Sequence, residues 1–361
     1  MPSTKQLKIG GRSPFSKLVT VGGGASISVQ SMTNTKTPDI SATVEQIRRL
    51  QTAGCDIVRV AVPDIESATA IEKIKENIEI PLVADIHFDH KLALASIEYG
   101  ADAIRINPGN IGDEDKIRQV VAMAKSKEIP IRIGVNGGSL ERDILERQDI
   151  TLPEKLVMSA IRHIEILEKF DFRDIAVSLK ASNVTDTIAA NRIMAAKFDY
   201  PLHLGVTEAG TPRFGLVKSA IGIGALLADG IGDTIRVSLT ADPVEEIYAA
   251  RLILQSLGLI PRRFEVIACP TCGRCNIDII SIANQVEDAL LSRESKTPPT
   301  KSIKVAIMGC VVNGPGEARD ADIGIAGGAG FAALFKNGEI IGKIPADKIV
   351  ETLLIELEKM I

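Results

Sequence analysis

The chain has 361 residues, 45% of them hydrophobic, which supports one large core plus a smaller one and excludes a disordered or fibrous protein. A formal charge of −4 and a pI near 5.8 give no general attraction for nucleic acid. Aromatic residues make up 3% of the chain and Trp is absent, so few platforms exist for stacking bases. Met1 to Gly10 holds no apolar run of signal-peptide length. The most apolar helical stretch, around Ile221 to Ala228, is too short and too broken by glycine to span a bilayer. A cytoplasmic protein with no membrane partner is expected, in a compartment where thiols stay reduced.

After a polar start and a hairpin expected through Gly22-Gly23-Gly24, eight β-rich runs alternate with helical stretches. The runs are Ile27 to Met32, Asp56 to Val62, Pro81 to Ile86, Ala103 to Pro108, Pro130 to Val135, Asp174 to Leu179, Pro201 to Val206 and Thr234 to Leu239. Between the first two, Val44, Ile47 and Leu50 recur at helical spacing and Gly54 can end the helix. Eight βα units predict an α/β fold, a TIM (β/α)8 barrel.

An internal repeat fixes which residues face the barrel axis. Asp56-Ile-Val-Arg59, Asp102-Ala-Ile-Arg105 and Asp233-Thr-Ile-Arg236 share one pattern. Side chains alternate along a strand, so Val58, Val60 and Val62 face the helices while Ile57, Arg59 and Ala61 face inward. The same parity turns Arg105 and Asn107, Arg132 and Asn136, Lys180, Arg236 and Ser238, and Asp85 and His87 inward. Five cations therefore converge near the C-terminal mouth, where barrel enzymes keep their sites. Structural ion pairs inside the barrel could absorb some of them. The expected inward acids are chiefly Asp85 and Glu208, however, and a buried uncompensated charge costs several kcal/mol. A phosphate or diphosphate ligand accounts better for the surplus, and Arg suits its bidentate recognition.

Three further residues of the barrel bear on function. Glu208, in Val206-Thr207-Glu208-Ala209-Gly210, is placed for acid/base work at the mouth. His203, between Leu202 and Leu204, is open to either reading, as a site residue or as a histidine packed against the helices. Cys55 reads as a small packed hydrophobe.

The barrel is expected to end near Leu259-Ile260-Pro261-Arg262-Arg263, giving a domain over 1–261 and a second, small α+β domain over 262–361. The second should contain a strand into Cys269, a helix from Asn276 to Leu291 and a loop with Pro298-Pro299. A strand from Ile303 to Met308, a strand from Asp322 to Ala326, a turn at Asn337-Gly338 and a last helix from Ala346 should follow. Ala268-Cys269-Pro270-Thr271-Cys272-Gly273-Arg274-Cys275 carries three of the five cysteines, and Cys310 follows in a Gly/Pro-rich turn. Two-residue gaps let thiolates curl around one centre, which suits zinc or an iron–sulfur cluster. Structural zinc usually pairs two Cys-x-x-Cys hooks, whereas here one run holds three cysteines and the other a single one beside glycines and a carboxylate. That pattern points to the cluster, because exposed backbone N–H groups can tune its sulfurs.

With anion pocket and cluster both indicated, the chain closely resembles the 4-hydroxy-3-methylbut-2-en-1-yl diphosphate synthase family in its compact bacterial form. The likeness runs nearly end to end. It is carried by Gln30-Ser-Met-Thr-Asn-Thr35, Val83-Ala-Asp-Ile-His-Phe-Asp89, Arg105-Ile-Asn-Pro-Gly-Asn110, Arg132-Ile-Gly-Val-Asn136 and Val206-Thr-Glu-Ala-Gly210. Asp242-Pro-Val-Glu-Glu246, Cys269-Pro-Thr-Cys272 and Gly309-Cys-Val-Val-Asn-Gly-Pro-Gly-Glu317 complete it.

The resemblance implies reductive ring opening of 2-C-methyl-D-erythritol 2,4-cyclodiphosphate to 4-hydroxy-3-methylbut-2-enyl diphosphate, in the methylerythritol phosphate route to isoprenoids. The electrons would come from reduced flavodoxin or ferredoxin. It implies substrate contacts from Arg59, Arg105, Asn107, Arg132, Asn136, Lys180, Arg236, Ser238 and Asn313. It implies a 4Fe-4S cluster on Cys269, Cys272 and Cys310 with Glu317 on the fourth iron. Glu208 is the expected proton donor, with Asp85 and His87 as supports. A homodimer whose sites form between subunits is also implied. Cys275 departs from the family pattern: spacing makes it a ligand, the resemblance a bystander. Two other classes fit parts of the chain: a phosphate-binding barrel aldolase or isomerase with a structural zinc domain, and a cluster protein that only carries electrons. The inward cations speak against the carrier.

Overall fold

A computed structural model of the chain describes residues 3–12, 16–291, 302–310 and 320–360. Asn313, Glu317 and the Pro298-Pro299 loop lie outside the described residues. The chain divides into two compact units, Met1–Ile260 and Pro261–Ile361.

The first unit opens with an antiparallel hairpin, β1 (Leu7–Gly10) and β2 (Leu18–Val21). The hairpin does not turn at Gly22-Gly23-Gly24, as the sequence suggested. These three glycines follow β2, at φ 80°, 64° and 80°, in the left-handed region. A Cβ on Gly22 would stand 2.1 Å from the Lys5 carbonyl oxygen, so only glycine lets the chain turn so close to its own start. Ile9 and Val21 pack against Ile57, Val83 and Ala103, and the hairpin thereby plugs the N-terminal end of a barrel.

The barrel strands are β3 (Ser28–Met32), β4 (Ile57–Ala61), β5 (Leu82–Asp85), β6 (Ala103–Ile106), β7 (Ile131–Asn136), β8 (Ile175–Lys180), β9 (His203–Leu204) and β10 (Thr234–Ile235). They are parallel, in the order β8-β7-β6-β5-β4-β3-β10-β9, and a bridge between Val177 and Leu202 joins the two ends. Around them run α1 (Ile40–Ala53), α2 (Ile65–Lys75), α3 (His90–Glu98), α4 (Pro108–Ile111), α5 (Glu114–Ser126), α6 (Arg142–Leu145), α7 (Leu152–Lys169), α8 (Val184–Lys197), α9 (Pro212–Ala228) and α10 (Pro243–Ser256). Asp39, Asp64, Asp89, Asp113 and Asp242 cap the first turns of α1, α2, α3, α5 and α10 through their carboxylates. The outward faces of the strands and the inner faces of the helices form one apolar core. Cys55 belongs to it, and burial pushes its thiol up to about 12.

The repeat has a structural cause at each end. Asp56, Asp102 and Asp233 accept the backbone N–H of Val29, Leu82 and Leu202 at 2.8, 2.7 and 2.8 Å. Each Asp ties the start of its strand to the neighbouring one, and three residues on, the Arg enters the barrel. The last two strands are shorter than their sequence runs. Arg236 N still donates to Leu204 O at 2.9 Å, but Leu239 N donates to Glu246 Oε1 at 3.0 Å. A helix carboxylate has replaced a strand neighbour.

The second unit holds one sheet in the order β11 (Phe264–Ala268), β12 (Ile303–Met308), β13 (Ile323–Gly328), β14 (Phe331–Lys336) and β15 (Glu339–Pro345). The first three strands are parallel and the rest antiparallel. Asn337 and Gly338, at φ 50° and 83°, make the tight turn between β14 and β15. Helices α11 (Ile279–Leu291) and α12 (Ile349–Glu358) bury Val286, Leu353 and Leu357 in one cluster with Val305, Ile307, Ile323 and Ile325. No helix among the described residues is long and apolar enough to cross a membrane.

Candidate active site

Strand parity places the cations inside the barrel, and Asp85 at the end of β5 is their hub. Its Oδ1 accepts from Arg105 Nη1 at 3.1 Å and its Oδ2 lies 3.5 Å from Arg59 Nε. Arg105 Nη1 also meets His87 Nε2 at 3.1 Å, and Arg105 Nη2 donates to the Gly134 carbonyl at 3.3 Å. His87 is half exposed, so it contributes at the rim. Burial alone would raise the Asp85 carboxyl, but the Arg59 guanidinium, His87 and Arg105 together hold it well below the usual carboxylate range.

Two further buried cations have less compensation. Arg132 donates Nη1 to Gln30 Oε1, while its buried Nε and Nη2 have no hydrogen-bond partner. Burial, then the neighbouring guanidinium of Arg59, pushes its pKa far down. Lys180 is lowered in the same way, by burial and then by Arg236, Arg59, Arg132 and Arg105. Gly205 makes room for it, since a Cβ there would stand 2.7 Å from Lys180 Nζ. These like charges repel one another without a solvent shell, and an anion placed among them would relieve every one.

The second inward acid is not Glu208. Glu208 is exposed in the turn after β9, at φ 53°. A left-handed φ on such a residue costs on the order of 1 kcal/mol and is held by its surroundings. The acid that enters the barrel is Glu246, from α10. Its Oε2 lies 3.5 Å from Arg236 Nε and accepts from Ser31 Oγ at 3.0 Å. Sequence reading missed Glu246 because strand parity says nothing about a helix residue. Its signal was the acidic pair in Asp242-Pro-Val-Glu-Glu246.

The remaining expected residues sit as follows. Asn107 is buried at the end of β6, where its Oδ1 accepts from Gly109 N at 3.1 Å. Asn136 closes β7 opposite Lys180, and Ser139 Oγ donates to its carbonyl at 3.2 Å. Ser238 is half-buried beyond β10. His203 is wholly buried with neither ring nitrogen hydrogen-bonded, and burial followed by Arg132 and Lys180 drives its pKa well down, so it is a neutral imidazole.

A cavity of about 740 Å³ lies at the opposite end of the barrel unit, lined by residues such as Thr4, Lys5, Tyr200 and Asp233. Its polar groups satisfy one another: Lys5 pairs with Asp199 at 3.2 Å, Tyr200 Oη donates to Glu168 at 2.6 Å and Thr4 Oγ1 to Asp233 at 2.6 Å. Arg132 and Lys180, buried inside the barrel with no carboxylate paired to them among the described residues, are the better mark of a ligand site.

In the second unit, Cys269 follows β11 and Cys310 closes the turn after β12, so both stand at the C-terminal ends of adjacent parallel strands. Among the described residues no three His, Cys, Asp or Glu side chains are gathered at metal-binding distance. The fit to a cluster rests on donor chemistry. Gly309 N–H donates to Cys269 Sγ at 3.2 Å, the kind of backbone bond that stabilises a thiolate. Cys272 is exposed, and the backbone N–H and then the guanidinium of Arg274 lower its pKa. Cys275 differs: its thiol donates to the Ile277 carbonyl at 3.1 Å, a bond that needs the proton a ligand would lose.

Comparison with known proteins joins the two units. Residues 12–251 match the family model of the GcpE TIM-barrel domain, and residues 265–359 that of the GcpE protein C-terminal domain. The chain belongs to the GcpE family. GcpE relatives of high identity include the 4-hydroxy-3-methylbut-2-en-1-yl diphosphate synthase (flavodoxin) of Ruminiclostridium cellulolyticum, 55% identical over 99% of this chain and 98% of the relative. The protein of the same name from Clostridium perfringens is 56% identical over 97% of each chain. That from Geobacillus thermodenitrificans is 57% identical over 95% of this chain and 90% of the relative. Among solved structures, Yersinia pestis dihydropteroate synthase superposes with a TM-score of 0.50 at 14% identity, over 70% of this chain and 98% of that one. That likeness concerns the fold of the GcpE barrel alone.

Proposed function

We infer that this protein catalyses the reductive ring opening of 2-C-methyl-D-erythritol 2,4-cyclodiphosphate to 4-hydroxy-3-methylbut-2-enyl diphosphate, in the methylerythritol phosphate route to isoprenoids. The observation that carries this reading is the group of five inward cations, Arg59, Arg105, Arg132, Lys180 and Arg236, which among the described residues are faced by the carboxylates of Asp85 and Glu246 alone. A cyclic diphosphate supplies the missing negative charge, and near-full-length relatives carry the name of this activity. An aldolase or isomerase with structural zinc is not favoured by those names.

The arginines and Lys180 bind the two phosphate groups, and Asn107, Asn136, Ser238 and Asn313 make further polar contacts with the substrate. Cys269, Cys272 and Cys310 hold a 4Fe-4S cluster, with Glu317 as fourth ligand. A carboxylate is harder than thiolate and exchanges more readily, so Glu317 would be the most labile of the four ligands. When bound, the cluster delivers two electrons, one at a time, from reduced flavodoxin or ferredoxin. The ring carbon–oxygen bond breaks with its oxygen staying on the phosphate. Glu208 gives a proton to the neighbouring hydroxyl, which departs as water as the two supplied electrons complete the C=C bond, while Asp85 and His87 hold Arg105 against the ring phosphate. The protein acts in the cytoplasm as a homodimer in which each barrel works with the partner's cluster domain, and needs neither nucleic acid nor membrane.

The test is anaerobic purification followed by iron, sulfide and zinc analysis, a visible spectrum and turnover of the cyclodiphosphate with a chemical reductant. About four irons and four sulfides per chain with turnover are expected. Stoichiometric zinc, a featureless spectrum and no turnover would overturn the reading. Mixing Glu208→Ala with Cys269→Ala under subunit exchange should restore part of the activity if sites form between chains.

A further inference from the structure

A contact between a buried histidine and a partly buried carboxylate lies outside the cation ring and ties together two loops that the site uses. His163 of α7 is fully buried, and its Nε2 lies 3.0 Å from Oε1 of Glu141, off the line of a direct hydrogen bond. Glu141 belongs to the loop after β7, the strand that ends in Asn136. Burial would raise its carboxyl, but His163 and Ser159, one helical turn apart on α7, hold it down to about 2. The same loop is fastened to α7 from outside: Arg162 grips Asp143 at 3.1 and 2.7 Å and approaches Glu141 at 3.8 Å. Lys155 Nζ donates to the Leu145 carbonyl at 2.8 Å.

The other side of the imidazole supports the loop after β6. A Cβ added to Gly109 would stand 2.8 Å from His163 Nε2 and 3.4 Å from Asn107 Oδ1. The Gly109 backbone therefore rests on the ring, and its N–H is the group that fixes the Asn107 side chain. One histidine touches both loops. Neither ring nitrogen of His163 and neither carboxylate oxygen of Glu141 has a well-aligned hydrogen bond, and polar groups buried in that way add little net stability, so stability alone is a weak reason for this pair of residues there.

We propose that Glu141 and His163 are positioning residues that set the loops after β6 and β7, and with them Asn107 and Asn136, at the barrel mouth to receive the cyclic diphosphate. This rests on the placement of the substrate against those two asparagines. Neither residue touches the ligand. Loss of either lets a loop drift and weakens binding in ground and transition state alike, which raises KM and leaves kcat in place.

The experiment uses the cluster-loaded protein and measures the Kd of the cyclodiphosphate by calorimetry beside KM and kcat. The variants are His163→Ala, His163→Gln, Glu141→Gln, Gly109→Ala and the double Gly109→Ala/His163→Ala, with Asn107→Ala as reference. Asn107→Ala should weaken binding about tenfold, the loss of one good hydrogen bond, and His163→Ala and Glu141→Gln should each weaken it by a similar factor with kcat within about twofold. His163→Gln should recover part of the affinity. Gly109→Ala should weaken binding by pushing against the ring, and the double variant should be no worse than either single one, because both act on one contact. If His163→Ala does not fold, the milder Glu141→Gln carries the test. The proposal is overturned if Asn107→Ala is impaired while Glu141→Gln and His163→Ala bind like the parent. If Asn107→Ala also binds like the parent, the substrate placement has failed and the proposal falls with it.

Discussion

Asp85 and Arg105 face each other from adjacent strands at register-paired positions, Oδ1 to Nη1 at 3.1 Å, and the same carboxylate serves Arg59 at 3.5 Å through its other oxygen. One acid thus orients two cations. Removing one partner of a buried pair costs about 3–5 kcal/mol, since the other charge is left behind. Asp85→Asn should therefore lower the unfolding temperature, and inorganic diphosphate should raise it again by more than it does in the parent. Arg105→Ala and Arg236→Ala should weaken cyclodiphosphate binding by roughly ten- to a hundredfold without changing the visible spectrum. Unchanged affinity in both would make these arginines structural.

Two glycines leave space for the cations, with different tolerance. A Cβ on Gly134 would stand 2.2 Å from Arg105 Nε, whereas one on Gly205 would meet the Arg236 carbonyl oxygen at 2.5 Å as well as Lys180. A side chain can move and a strand backbone cannot. Gly134→Ala should fold and bind the diphosphate more weakly, while Gly205→Ala should lose stability by about 1–3 kcal/mol, the usual cost of overpacking. Thermal unfolding and calorimetric titration separate the two. Equal behaviour would show that the barrel relaxes around both.

In the proposed cluster, Cys275 and Glu317 are the two candidates for fourth ligand. The bond from the Cys275 thiol to the Ile277 carbonyl favours a bystander. Cys275→Ser should keep the iron and most turnover. Glu317→Ala should keep the three-cysteine anchorage, lose most turnover and shed iron more readily. Iron analysis and electron paramagnetic resonance with and without substrate read the difference, and the reverse pattern would reassign the ligand.

Glu141 gives a stability term with a definite pH window. Its carboxyl is held at about 2 in the fold, below its ordinary value of 4.5, so the folded state binds its proton less readily than the unfolded state. A depressed carboxyl stabilises the fold above the unfolded pKa, and that contribution is lost as pH falls through the folded one. The difference in unfolding free energy between parent and Glu141→Gln should be constant above about pH 5 and shrink between about pH 4.5 and 2. A difference independent of pH over that range would show that the carboxylate is not the stabilising form.

Much of this molecule is legible in the chain because the governing physics is local. Alternation along Asp56 to Val62 and its two repeats puts Arg59, Arg105 and Arg236 inside a barrel without knowledge of any neighbour. Asn337-Gly338 marks a hairpin because both positions of its turn need positive φ. Cysteine spacing and the eight motifs indicated the chemistry and the family. Tertiary structure decided which charges meet. Glu246 reaches Arg236 from a helix, takes the Leu239 N–H and ends the last strand early. His163 lies on a helix whose pattern reads only as amphipathic, yet it stands between Glu141 and Gly109. Periodicity reports the face on which a side chain lies, whereas the partner across that face is set by the packing of elements distant in sequence.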